Sequence, residues 1–289
     1  MLEPEKITSI SIHEYTCRNP EQTAKFVLGE LMVARTHYNF TKMLLLGTLA
    51  GACIGFGCEI SILAAHDTAG FLGFGASRIL AGAVFSLGLM LVMITGGELF
   101  TGNILIAGSL LDGRVTWVKL CKNWLTVYFA NCLGAMLLAW IVFHANGWQQ
   151  NDLLVGTYAL KLGIAKVNLT FIEAFTRGIL CNWLVCLAIW MSSASKNIIG
   201  KIFSIFFPIM TFVALGYEHS IANMFFIPKA MLLATQSQLV TAANLLPEKL
   251  ANLSAMGFID NLVPVTLGNM VGALVFIALP QWLAFVRKQ

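Results

Sequence analysis

Charge is scarce in this sequence. Asp, Glu, Lys and Arg make up 11% of its 289 residues, less than half of the roughly 25% with which a soluble domain covers its surface. That shortage excludes a water-soluble globular protein. Paired cysteines are missing as well: the seven cysteines are odd in number, lie mostly within apolar runs and form no C-x-x-C pair, which argues against a disulfide framework or a structural zinc site. The opening residues Met1-Leu2-Glu3-Pro4-Glu5 lack the basic stretch and short apolar core of a cleaved signal peptide, so the first span is expected to serve as its own insertion signal. Neither H-E-x-x-H nor G-x-S-x-G occurs and the five histidines are scattered, so no metal site, cofactor or enzyme activity is implied. The basic residues are not gathered on one soluble module, which argues against nucleic acid as a partner.

What is present is apolar length. Hydrophobic residues reach 58%, in runs close to the roughly 20 residues that cross a hydrocarbon core. Six spans are expected in an all-α membrane protein. They are Met43–Leu63, Ile79–Thr95 resuming as Ile104–Leu111, Trp117–Phe143, Leu169–Met191, Ile202–Gly216 resuming as Met224–Leu233, and Leu262–Phe285. Residues 1–41 form the one sizeable polar stretch, an N-terminal segment ahead of a transmembrane domain at 42–289. Within it, Asn19-Pro20-Glu21 has the form of a helix cap followed by proline at the first turn, and Phe26, Val27, Leu31 and Ala34 recur at helical spacing. A short amphipathic helix along the membrane face is expected there. With the N-terminus placed in the cytoplasm, twelve Lys and Arg residues lie on that side and four on the other, with Arg177 and Lys229 inside spans. Both termini are therefore expected to be cytoplasmic, and Arg177 and Lys229 to snorkel or pair with a neighbour.

The second and fifth spans are interrupted in the same way: Glu98 and Asn103 are five apart in one break, Glu218 and Asn223 in the other. Asn123, Asn131, Gly134 and Ala135 of the third span match Asn261, Asn269, Gly272 and Ala273 of the sixth at identical spacing. Two repeats, 42–144 and 168–287, follow. Three spans per repeat is an odd number, so the halves must lie inverted in the membrane. Paired broken helices in inverted repeats are a transporter architecture, with the site where the breaks meet. Gly96, Gly97 and Gly102 permit the tight turn. Glu98, Asn103, Glu218 and Asn223 are expected to bond the backbone groups freed there, which lipid cannot satisfy. Each resumed half-helix brings a positive end to the bilayer centre, attracting anions. On the residues alone, His219 suits a loop fastener and a pore group equally.

At these breaks the sequence resembles the formate–nitrite transporters. The resemblance covers nearly the whole chain from about residue 20 and is carried by Glu98-Leu99-Phe100-Thr101, Lys122-Asn123-Trp124-Leu125 and Glu218-His219-Ser220-Ile221-Ala222-Asn223-Met224. It implies an aquaporin-like fold, a homo-oligomer that is usually a pentamer, and one anion pathway per protomer. Aquaporin itself is disfavoured, since neither break carries Asn-Pro-Ala. By the same resemblance His219 is the central pore histidine and Thr101 the threonine facing it. Leu89, Leu99, Phe85 and Phe212, with Phe100, match apolar constrictions, and Lys166 and Asn182 match polar residues of the outer vestibule. The expected substrate is a small monovalent anion of a weak acid, formate first, with hydrosulfide, nitrite, acetate or lactate as alternatives. Gly102-Asn103, where enterobacterial formate channels carry Ser-Thr, leans toward the hydrosulfide branch or a divergent formate branch.

A carboxylate entering an apolar constriction loses hydration worth several kcal/mol, and desolvation favours its protonated form. Histidine titrates near physiological pH. The expected mechanism is therefore collection of the anion by Lys166 and the helix ends, dehydration at Leu99 and Phe212, and proton transfer from His219 beside Thr101. Net movement would equal anion–proton symport across a cell membrane, with lipid, proton and anion as partners.

Overall fold

The computed structural model describes residues 17–287. Among them helices account for nearly all regular structure, and the one β feature is an isolated bridge between Cys17 and Ser195. We number the main helices α1 (residues 20–35), α2 (Phe40–Ala65), α3 (Phe74–Thr95), α4 (Phe100–Leu111), α5 (Trp117–His144), α6 (Leu154–Val167), α7 (Phe171–Ala194), α8 (Ile198–Ala214), α9 (Ser220–Leu233) and α10 (Ala255–Val286). Five of them are long and apolar enough to cross a membrane alone. The second span is α3 continued by α4, and the fifth is α8 continued by α9. Six spans with the second and fifth broken are thus present.

Each break has the same chemistry. The helices α3 and α8 stop at Gly96 and Gly216, whose φ angles of 79° and 74° suit glycine. The backbone groups freed between half-helices are then bonded by an asparagine of a neighbouring span. Asn131 of α5 donates to the carbonyls of Gly47 and Glu98, both at 2.8 Å, and accepts the Phe100 N–H at 2.8 Å. Asn269 of α10 donates to the carbonyls of Gly178 and Glu218, at 2.9 and 3.0 Å, and accepts the Ser220 N–H at 2.9 Å. The carboxylates play a different part from the one expected of them. Glu98 accepts from the Asn103 amide at 2.8 Å and pairs with Arg35 at 3.2 Å. Glu218 accepts from Asn223 at 2.6 Å and from Lys166 at 3.0 Å on both oxygens. Side-chain donors hold the charges, while neutral amides, which both donate and accept, bridge the cut backbone.

The repeat extends further than the sequence suggested. Asn123 donates to the Arg35 carbonyl at 3.4 Å and Asn261 to that of Lys166 at 2.8 Å. Arg35 ends α1 as Lys166 closes α6, so these two helices are counterparts, and each half gains a fourth element. Between the third and fourth spans, where the sequence reading places no helix, α6 is 14 residues long, too short for a span. Nor is α1 simply a surface helix: Ala24, Val27, Leu28 and Met32 are fully buried, and the Leu28 carbonyl accepts the Ser109 hydroxyl at 2.5 Å. Its start follows the sequence, with Asn19 and Gln22 bonding each other's backbone N–H. Glycines bring the long helices close: a methyl at Gly134 would strike the Thr48 carbonyl, and one at Gly272 that of Ile179. The two inverted halves form an aquaporin-like fold, with the half-helices meeting at its centre.

Candidate functional site

Three cavities are lined in part by residues of the two breaks. The one on the face opposite the described chain ends has about 200 Å³ and is lined by Lys166, Arg78, Arg177, Glu218, Phe226 and His219 among others. The central gap is only about 10 Å³, bounded by Ile54, Phe85, Leu89, Leu99, Val185, Ile209, Phe212 and His219. The cavity on the face of the chain ends has about 350 Å³ and includes Arg18, Arg35, Glu98, Lys196 and Lys201. Phe85, Phe212 and His219 border both the first cavity and the gap. Two charged chambers are thus separated by an apolar gap with one imidazole at its edge.

His219 sits one residue before α9 and caps it: its Nδ1 accepts the Ala222 N–H at 3.2 Å. With Nδ1 engaged as acceptor, the neutral ring carries its proton on Nε2. That nitrogen faces the Thr101 hydroxyl at 3.0 Å, joining the first turn of α4 to that of α9. Phe212 lies against the imidazole, ring centres 6.0 Å apart, and meets Phe85 edge-on at 5.5 Å. The polar contact of His219 and Thr101 is therefore walled by aromatic and aliphatic side chains.

The other residues singled out from the sequence separate into groups. Leu89, Leu99, Phe85 and Phe212 converge on the gap. Phe100 does not: it packs against Trp124 and Tyr128 in a lateral groove with Leu125 and Phe129. Leu99 is extended just ahead of α4 and Phe100 opens the helix, so their side chains leave on different sides. Lys166 is on the wall of its chamber, but its charge is spent on Glu218. Asn182 is fully buried and donates to the carbonyls of Thr101 at 3.1 Å and Asn269 at 2.8 Å. It therefore holds the Thr101 backbone in place from outside the cavities. Gly102 packs under Ile189, and Asn103 faces Glu98, Asn123 and Arg35. This pair does not line the gap, which is why it is a poor guide to substrate. Arg177 lies 4.0 Å from Glu173, and Lys229 pairs with Glu59, as expected of charges within spans.

Sequence reasoning missed Arg35, Ile54, Val185 and Ile209. The repeat itself carried the signal: Arg35 precedes Gly47 by the separation at which Lys166 precedes Gly178, and Ile54 corresponds to Val185 in the same register. In the second break's register Leu89 corresponds to Ile209 and Leu99 to His219. The halves agree where they build the scaffold and differ where they line the gap.

Comparisons with known proteins bear on the same features. The profile of the formate/nitrite transporter family matches residues 25–283. The formate channel FocA of Escherichia coli (strain K12) is 39% identical over 250 residues, covering 86% of this chain and 87% of that protein. A probable formate transporter of Methanothermobacter thermautotrophicus is 38% identical over 94% of this chain and 98% of its own length. A solved pentameric formate channel with formate bound superposes with a TM-score of 0.76 at 35% identity, covering 86% of this chain and 98% of that one.

Proposed function

The chain belongs to the formate/nitrite transporter family, and from that premise we propose that it is a channel through which formate crosses the membrane. It is an integral membrane transport protein, not an enzyme. The observation that carries the reading is the His219–Thr101 contact at the edge of an apolar gap between two cation-lined chambers. A formate ion drawn in by either chamber reaches a place where its carboxylate can replace Thr101 at the His219 Nε2–H and take the threonine hydroxyl as a second donor. Leu89, Leu99, Phe85 and Phe212 leave room for little more than one small molecule and no hydration shell.

Passage of the bare ion through that gap costs several kcal/mol, and the neutral acid avoids most of it. For His219 to give a proton, the ring must first gain one at Nδ1, which displaces the Ala222 N–H. Loss of the Nε2 proton leaves the Nδ1–H tautomer, so a second proton must bind at Nε2 and the one on Nδ1 must leave before the Ala222 N–H can cap the ring again. Lys166 sets Glu218, and Asn182 sets Thr101, so both act on the pathway through other residues. The chain assembles as a homopentamer in the cell membrane with both termini cytoplasmic. The pentameric relative and the excess of Lys and Arg on the terminus side support this.

The test is a competition panel in proteoliposomes, with labelled formate against hydrosulfide, nitrite, acetate and lactate under a pH gradient of either sign. Formate flux is expected, greatest when the side of origin is acid. Hydrosulfide or nitrite flux without formate flux would replace the substrate and leave the pathway.

A further inference from the structure

We propose that the chamber on the face of the chain ends is also a binding site for compact multivalent anions of the pyrophosphate type, and that an anion held there blocks the channel. The inference rests on the channel reading for its effect, but not for the binding.

Among the described residues, Arg18, Arg35, Lys196 and Lys201 line this chamber, with Glu98 as the one carboxylate there. Glu98 is engaged by Arg35 and Asn103, and Arg18 and Lys201 are left to meet an incoming anion. Arg18 is held in place rather than waving in solvent. Its guanidinium lies 3.7 Å over the Phe26 ring, its Nη1 donates to the Ser193 carbonyl at 2.7 Å, and its own N–H donates to Ala194 at 2.8 Å. A planar guanidinium with N–H groups to spare is the side chain best suited to phosphoryl oxygens. Lys201 stands in the first turn of α8, whose positive end adds to the field.

Attraction to this cluster scales with the charge of the ion, so a field that gathers formate concentrates a di- or trivalent anion more. The same ion cannot go on. One protonation neutralises formate, whereas a multivalent anion stays charged after one proton, and the gap has room for little more than one small molecule. A chamber of about 350 Å³ accepts it. Attraction without passage is block. The opposite chamber is smaller, and of its cations Lys166 is paired with Glu218 and Arg177 lies 4.0 Å from Glu173, while Arg78 donates to the Val213 and Ala214 carbonyls. Block is therefore expected from the terminus side.

The experiment uses the full chain in proteoliposomes, oriented by a terminal tag, with pyrophosphate added to each face in turn at fixed ionic strength. Formate flux is expected to fall only with pyrophosphate on the tagged face, by raising the apparent KM for formate, and the block is expected to weaken with salt. Arg18→Gln and Lys201→Gln are each expected to raise the half-blocking concentration about two- to five-fold, and the double variant further. Binding of labelled pyrophosphate to the detergent-solubilised protein is measured alongside by equilibrium dialysis. Binding that weakens in the same variants, in a protein found to carry no formate, would sink the channel reading and leave the site. Formate flux that pyrophosphate never blocks from the tagged face, or binding and block unchanged in the double variant, would overturn the proposal.

Discussion

His219 has two bonds, and they have different consequences. The one from Nδ1 to the Ala222 N–H belongs to the helix, and the one from Nε2 to Thr101 belongs to the proposed pathway. A substitution that keeps bonding capacity and removes titration separates them. In His219→Asn the amide can still cap α9, so oligomer yield is expected to stay near wild type. The steep rise of formate flux on acidifying the side of origin is expected to flatten. The sign follows from the imidazolium, whose population grows as pH falls and which is the form that can donate. The comparison is made at two pH values with folded oligomer quantified in both proteins. A wild-type pH profile in the Asn variant would make His219 a loop fastener only. The histidine was visible in the sequence because it stands beside Glu218 in a break. Which of its nitrogens faces the pathway was not visible, since that depends on a threonine in the other half.

The half-helix α9 is buried over nearly its whole length, and Lys229 on it is 1% exposed. Its charge is met by Glu59 of α2, and Cys58 one residue earlier donates weakly to the Ala222 carbonyl at 3.9 Å. The transmembrane helix thus grips the half-helix near both of its ends. The inner counterpart α4 has no such pair: Ser109 there bonds the Leu28 carbonyl instead. Lys229→Met is expected to lower the melting temperature of the oligomer, because it leaves the Glu59 carboxylate uncompensated. The cost is at most about 3 kcal/mol, reduced by the partial exposure of Glu59. Glu59→Gln added to Lys229→Met is expected to recover most of the loss, since methionine fills the lysine volume and no lone charge remains. Thermal melts followed by size-exclusion chromatography report both variants. A single variant as stable as wild type would show that packing alone holds α9.

At the scale of the molecule, the described chain ends share a face with the turns between spans two and three and between four and five. Arg18 bonds Ser193 and Ala194, and the Trp282 indole reaches Asp112 at 3.4 Å. A tag-reporter scan should place residues 112–116 and 195–201 on the side of both termini, and residues 145–153 and 235–253 on the other. Termini on opposite faces would remove the inverted repeat. Internal pseudo-symmetry accounts for much of this plan. Asn131 and Asn269, with Glu98 and Glu218, build one hub twice, and a ring of protomers can form around the axis normal to the membrane while the repeat axis lies within it.

The sequence by itself determined the membrane class, the six spans, the two breaks and the correspondence of the halves. Each of these is written in spacing or in apolar length, both local properties of the chain. Only the tertiary structure decided what each polar residue bonds. Glu98 and Glu218 turned out to hold Arg35 and Lys166, while the cut backbone fell to Asn131 and Asn269. Phe100 faces outward although Leu99 and Thr101 on either side of it face inward. The reason is physical: lipid leaves no freed backbone group or charge unpaired, so the fold settles their partners among residues far apart in sequence, and spacing alone cannot say which of several amides or carboxylates will arrive.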